Sequence, residues 1–196
     1  MTDEPGSSPA SIEVAMPDAA WNACMTDAEA IVTRVAEACL RRALPAAATG
    51  RSLEVSIVLT DDSQVRALNG RHRGQDKATN VLSFPAVDWQ DASGRGTQLP
   101  NGAAPLLLGD VIVARETLLA EAALQGKTPG DHLSHLVAHG VLHLMGYDHE
   151  DDASATVMEA LEVSILEALG VADPYAAQQV LPSTAMQAQS QKERRR

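Results

Sequence analysis

The chain has 196 residues, a formal net charge of -11, and 45% hydrophobic but only 3% aromatic side chains. That length sets a single domain as the default, and so few aromatics leave the core to Leu, Val, Ile and Ala. An acidic chain does not attract polyanions by its overall field, so any contact with nucleic acid needs a local basic patch. In chain order, SIEVAM (11–16) reads as a short strand. DAEAIVTRVAEACLRRAL (27–44) reads as a helix, with Ile31, Val35, Cys39 and Leu40 at helical spacing and Asp27 placed to cap it. LEVSIVL (53–59) alternates, with Leu53, Val55, Ile57 and Leu59 on one face of a half-buried strand. DDSQVRALNG (61–70) reads as a short helix capped by Asp61 or Asp62 and ended by Gly70. NVLSF (80–84) is a strand closed by Pro85, and 86–105 a long loop. LLLGDVIVA (106–114) is a strand with Gly109 as a bulge candidate. Three helices follow: 115–126, a mostly buried one over 128–146 stopped by Gly146, and 153–170 with Met158, Leu161, Ile165 and Leu169 on one face. The sum is a single α+β domain, a mixed sheet of about four strands with about five helices. The polar ends, 1–10 and 173–196, are expected to be largely disordered tails around a domain spanning 11–172.

Export is not expected. The opening MTDEPGSSPA carries acid where a signal peptide carries base, and no apolar run is long enough to span a bilayer. Cys24 and Cys39 lie outside any metal-binding spacing and read as reduced thiols. The expectation is a soluble cytoplasmic protein without membrane contact.

HGVLHLMGYDH (139–149) carries the chemistry. His139 and His143 are four apart, which on a helix places both imidazoles on one face, one turn from each other. Two such nitrogens can bind one ion at about 2.0–2.1 Å each. Gly146 lets the helix end and the chain turn back, so that His149 reaches the same ion at the end of a central helix. Three histidines leave one tetrahedral position open, as catalytic sites do. Zinc is the ion expected for neutral imidazoles, one per chain, although nickel or copper would also suit them. The spacing matches the zinc-protease pattern H-E-x-x-H-x-x-G-x-x-H, except that Gly140 stands where the general base would be. A glycine in a helix interior costs about 1 kcal/mol relative to Ala, so Gly140 also implies a close approach by backbone, strand or substrate. Around this core, His135 is expected to pack or to hydrogen-bond, His132 to be exposed, and His72 to lie in a loop. Tyr147 reads as a packing residue, and Asp148 either orients a ligand or faces solvent.

RALNGRHRGQDKATNVLSFP (66–85) is the basic patch. Arg66, Arg71, Arg73 and Lys77 fall within twelve residues, with Asp76 alone opposing them. A loop rich in Gly and Arg can present guanidinium forks to phosphate, which accepts two parallel hydrogen bonds. Phosphodiester cleavage needs such charge stabilisation beside an activated group. RNA is expected to approach from this side and to avoid the acids Glu150, Asp151, Asp152, Glu159, Glu162 and Glu167.

RHRGQDKATNVLSFP, LLLGDVIVA and HGVLHLMGYDHEDD occur in the order and spacing of the YbeY family, which residues 11–170 resemble. Ala78 stands where that family often has proline. The resemblance implies a single-strand-specific, metal-dependent endoribonuclease acting in ribosomal RNA processing, at the 3′ end of 16S RNA, and in ribosome quality control. It implies metal ligands at His139, His143 and His149, and a catalytic arginine at Arg73. As partners it implies ribosomal RNA, small-subunit ribosomal proteins and assembly GTPases. Two alternatives stand beside it: a zinc-stabilised assembly factor without essential nuclease activity, and a zinc-dependent peptide hydrolase.

Overall fold

A computed structural model describes residues 10–89, 99 and 104–176. Its elements are β1 (Ala10–Ala15), α1 (Ala20–Cys24), α2 (Ala28–Ala43), β2 (Leu53–Thr60), α3 (Asp62–Arg73), β3 (Val81–Pro85), β4 (Leu106–Ala114), α4 (Arg115–Gln125), α5 (Pro129–Leu144) and α6 (Asp152–Ala168). The four strands form one mixed sheet in the order β1-β2-β4-β3. The pairs β1–β2 and β2–β4 are parallel, while β3 runs antiparallel to β4 and makes one edge. The tails expected over 1–10 and 173–196 fall outside the described residues, apart from Ala10 and residues 173–176. Among the described residues, no helix is long and apolar enough to cross a membrane.

The alternation read in LEVSIVL separates the two faces of the sheet. Leu53, Val55, Ile57 and Leu59 join the large core with Val111 and Val113 of β4, under α2 and α5. Val58 and Ile112 point the other way, into a smaller cluster with Val65 of α3 and Leu82 of β3. Gly109 lies at the expected bulge: Glu54 pairs with Leu107 and Val55 with Gly109, so Leu108 is left over in the ladder.

Two local expectations need correction, and one short helix adds to those expected. The structure has six α-helices among its described residues, in keeping with about five, the additional one being the single turn AWNAC (20–24). That turn is too short for a period; Asp18 Oδ1 accepts the Ala20 N–H at its start at 3.0 Å, and tertiary contact holds it, with Trp21 fully buried and its indole N–H donating to the Thr60 carbonyl at 3.0 Å. At the start of α2, Asp27 occupies the cap position but its side chain accepts no hydrogen bond from the helix. Most consequentially, α3 does not stop at Gly70. It continues to Arg73 and ends at Gly74, whose φ of 67° is the left-handed conformation that closes a helix. Asn69 secures this turn by accepting the Gln75 N–H at its carbonyl and donating its side-chain amide to the Lys77 carbonyl at 2.7 Å. Arg71, His72 and Arg73 therefore sit on the last turn of a helix rather than in a loop. His72 meets Phe84 edge-on, with ring centroids 5.0 Å apart.

Candidate metal centre and cleft

The C-terminal half of α5 presents His139 and His143 on one face. Their Nε2 atoms lie 3.1 Å apart. The chain then turns at Gly146, with φ 85°, and brings His149 back, so that one nitrogen from each of the three rings lies within 4.8 Å of the others. A side chain at 146 would also strike Trp89, whose Cβ lies 2.7 Å from the position a Cβ would take. Trp89 locks the same corner by donating its indole N–H to the Leu144 carbonyl at 2.7 Å.

The ring orientations follow from their partners. His143 Nδ1 lies 2.9 Å from the Tyr147 carbonyl, which can only accept, so Nδ1 carries the proton. His139 Nδ1 lies 2.8 Å from Glu162 Oε1. Burial pushes the Glu162 carboxyl up, but hydrogen bonds with His135, His139 and Tyr175 outweigh it and hold it down at about 2. Glu162 is thus a carboxylate, and His139 also donates from Nδ1. Burial and the neighbouring His139 lower the His143 pKa, which favours its neutral form. With Nδ1 protonated in each ring, Nε2 is the atom left to bind a cation, and the two Nε2 atoms face each other at 3.1 Å. Such a contact needs a proton or a metal ion between the nitrogens. The donor set and its outer partners therefore fit a metal ion, with carbonyl and carboxylate fixing the tautomers as metal-binding histidines require.

Gly140 faces the sheet. A Cβ there would meet Val111 Cγ1 at 2.6 Å, Val111 Cγ2 at 3.1 Å and Ser83 Oγ at 3.2 Å. The close approach expected of Gly140 is helix–strand packing, and the space a side chain would need at this position is filled by Val111. Asp148 accepts the backbone N–H of His149 at 2.7 Å, so it shapes the turn instead of orienting a ring. Tyr147 donates its hydroxyl to the Ala43 carbonyl at 3.1 Å, as a packing residue would.

His139, His143 and His149 open into a cleft of about 840 Å³. Its walls include Thr79 and Asn80 just before β3, Val81 and Ser83 within it, and Asp88 and Trp89 after it. Arg73, from the end of α3, lines the same cleft. Arg73 is exposed and makes no ion pair among the described residues. Of the four basic residues expected to meet RNA, Arg73 alone lines this cleft. Arg66 makes a fork to Asp76, with Nε at 2.6 Å and the terminal nitrogen at 2.7 Å. Arg71 donates to the Ala67 carbonyl of its own helix. Lys77 is exposed beyond the cleft lining.

Two expectations about polar residues fail. His132 is buried, not exposed: its side chain is 3% accessible, and its Nε2 meets Glu121 at 2.9 Å. Glu162 does not belong to an acidic outer face. It is fully buried behind His139, where it also lies 3.4 Å from His135 Nε2 and accepts the Tyr175 hydroxyl. A signal for it existed in the sequence. Glu162 follows Met158 by four and precedes Ile165 by three, so it falls on the apolar face of α6, where a carboxylate needs a buried partner.

Residues 21–170 match the family model described as Endoribonuclease YbeY. The chain is similar to the endoribonuclease YbeY of Paramagnetospirillum magneticum, at 53% identity over 85% of this chain and 96% of that protein. It is likewise similar to those of Azorhizobium caulinodans, at 50% identity over 84% and 96%, and Rhodospirillum rubrum, at 49% over 80% and 76%.

Proposed function

The chain belongs to the YbeY endoribonuclease family, and on that premise we propose that it cleaves single-stranded RNA at a metal centre held by His139, His143 and His149. The observation that carries the proposal is the convergence of these three rings and Arg73 on one cleft. Zinc is the ion proposed, one per chain, because the ligands are neutral imidazoles. When bound, the ion supplies Lewis acidity, which lowers the pKa of water and polarises a phosphoryl oxygen.

The protein's own groups do the rest. Glu162 and the Tyr147 carbonyl hold the His139 and His143 rings by their Nδ1 protons, leaving Nε2 free to ligate. Arg73, without a carboxylate partner among the described residues, offers its guanidinium fork to a phosphate and to the charge that builds on it in the transition state. The nucleophile is either water or the 2′-OH of the RNA itself, and a 2′-deoxy residue at the scissile position separates the two routes, since only the first survives it. The substrate proposed is precursor ribosomal RNA at the 3′ end of 16S RNA, in the cytoplasm, reached with small-subunit proteins and assembly GTPases. Peptide hydrolysis is disfavoured because position 140 has neither a carboxylate nor room for one beside Val111.

The test is metal content and cleavage of a single-stranded fragment spanning the 3′ end of 16S RNA, for wild type, His143→Ala and Arg73→Ala. His143→Ala is expected to lose both metal and cleavage. Arg73→Ala should keep its metal and lose about 10²-fold or more in cleavage rate, the scale for removing one transition-state donor. Cleavage undiminished in both variants refutes the nuclease assignment. Ribosome association that survives in a folded, non-cleaving His143→Ala variant is the result the assembly-factor alternative requires.

A further inference from the structure

The residues after α6 return to the metal centre from behind. The Pro174 carbonyl accepts a hydrogen bond from the Lys127 ammonium at 2.9 Å, and Pro174 itself is buried. Next to it, the Tyr175 backbone N–H is capped by Asp173 Oδ1 at 2.8 Å. The Tyr175 ring lies edge-on to His135, with centroids 5.5 Å apart, and its hydroxyl donates to Glu162 Oε2. The other oxygen of that carboxylate accepts from His139 Nδ1 at 2.8 Å. Oε2 also meets His135 Nε2 at 3.4 Å, a longer contact that competes with His139 for the same carboxylate.

We propose that Tyr175 is a positioning residue of the metal centre: its hydroxyl pins the Glu162 carboxylate, and the pinned carboxylate sets the ring of His139. Tyr175 lies beyond residues 21–170, the part of the chain that matches the family model. The inference rests on the three histidines holding a metal. Its physical basis is the carboxylate's rotational freedom. With Oε2 bound, Oε1 faces Nδ1 in one orientation and Nε2 is aimed at the ion. Without the hydroxyl, a buried acceptor is left short of a partner, and the carboxylate gains by turning towards His135 at the expense of His139. A residue wanted only for packing against His135 would not need a hydroxyl beside a buried carboxylate.

The test is metal affinity of the full-length chain, prepared metal-free and titrated with Zn²⁺ against a chromophoric chelator. The visible spectrum of the Co²⁺ form reports ligand geometry, and melting of the metal-free protein reports folding. Glu162→Gln is expected to weaken Zn²⁺ about 10-fold, within the range for loss of a carboxylate behind a ligating histidine. Tyr175→Phe, which keeps the ring, should weaken it about 3–10-fold and shift the Co²⁺ bands, with the metal-free protein still melting cooperatively. In the Glu162→Gln background, Tyr175→Phe should add less than about 2-fold, because the hydroxyl acts through Glu162. Lys127→Ala loosens the segment without touching the hydroxyl and should give a smaller loss in the same direction. If Tyr175→Phe binds as tightly as wild type, or loses as much in the Glu162→Gln background as alone, the clasp is refuted and the metal assignment stands. If wild type binds no metal, both fall.

Discussion

Gly140→Ala isolates the fit of α5 on the sheet. In an open helix, Ala would stabilise by about 1 kcal/mol over Gly. Here the new methyl would lie 2.6 Å from Val111 Cγ1, with Val111 Cγ2 and Ser83 Oγ also inside 3.4 Å. Val111 is fully buried in the middle of β4, and a β-branched side chain has little rotamer freedom with which to retreat. Overpacking of this kind costs about 1–3 kcal/mol, and three simultaneous contacts place it in the upper part of that range. The net expectation is a loss of about 1–2 kcal/mol, or about 2–8 °C in Tm for a domain of this size. Melting in the presence of a chelator measures it without the contribution of metal binding. A double-mutant cycle makes the test sharper. Val111→Ala alone removes two buried carbons and costs about 2 kcal/mol including the cavity. In that background the methyl added at position 140 fills space instead of contesting it, so Gly140→Ala should become stabilising. If it stabilises the otherwise wild-type protein by the full helix-propensity gain, the packing account of Gly140 is wrong.

Two further predictions concern charge. Burial lowers the His132 pKa more than the Glu121 contact raises it, so the unfolded chain, with a histidine pKa of about 6.5, takes up this proton before the folded one does. Stability from His132 is therefore complete above about pH 6.5 and lost as pH falls towards its depressed folded value; the difference in unfolding free energy between wild type and His132→Gln should fall over that interval, and a pH-independent difference contradicts it. RNA affinity should be weak and fall with salt, with Arg73→Ala reducing the log–log slope by about 0.7 and Arg66→Ala, already paired to Asp76, changing it little; equal effects would place Arg66 on the phosphate as well.

The convergence of the three histidines is legible because it is local. Three rings, a helical spacing and a turning glycine all fall between His139 and His149, so no long-range fact is needed. The strands were legible for a related reason, since a half-buried strand writes its own period into LEVSIVL. What escaped depends on contacts far apart in sequence. Glu162 meets His139 across 23 positions and Tyr175 meets His135 across 40, and neither pairing has a local signature. The end of α3 was misplaced because Gly70 and Gly74 both follow the apolar stretch. The stop is Gly74, since Asn69 holds the turn there through Gln75 and Lys77. His132 looked exposed because histidine is polar, and its partner Glu121 lies on a different helix.

The acidic net charge becomes consistent with an RNA substrate when the cleft is considered by itself. Its described lining includes Arg73, Asp88 and Asp148. A divalent ion at the triad would add two positive charges to that lining. Metal binding and polyanion binding are then coupled, since the loaded site attracts phosphate more strongly than the empty one. A phosphate about 8 Å from a divalent charge gains about 1 kcal/mol at the dielectric constant of water, roughly a fivefold change in affinity, and more where the cleft excludes solvent. Single-stranded 2′-O-methyl RNA, which closes the 2′-OH route, allows binding to be compared with and without metal by fluorescence anisotropy at low salt, its length being checked on a gel afterwards in case water is the nucleophile. The loaded protein should bind at least several-fold tighter, and Asp148→Asn should strengthen binding in both states. Equal affinity in the two states would mean that RNA is held away from the triad, and that the cleft does not draw its substrate in by charge.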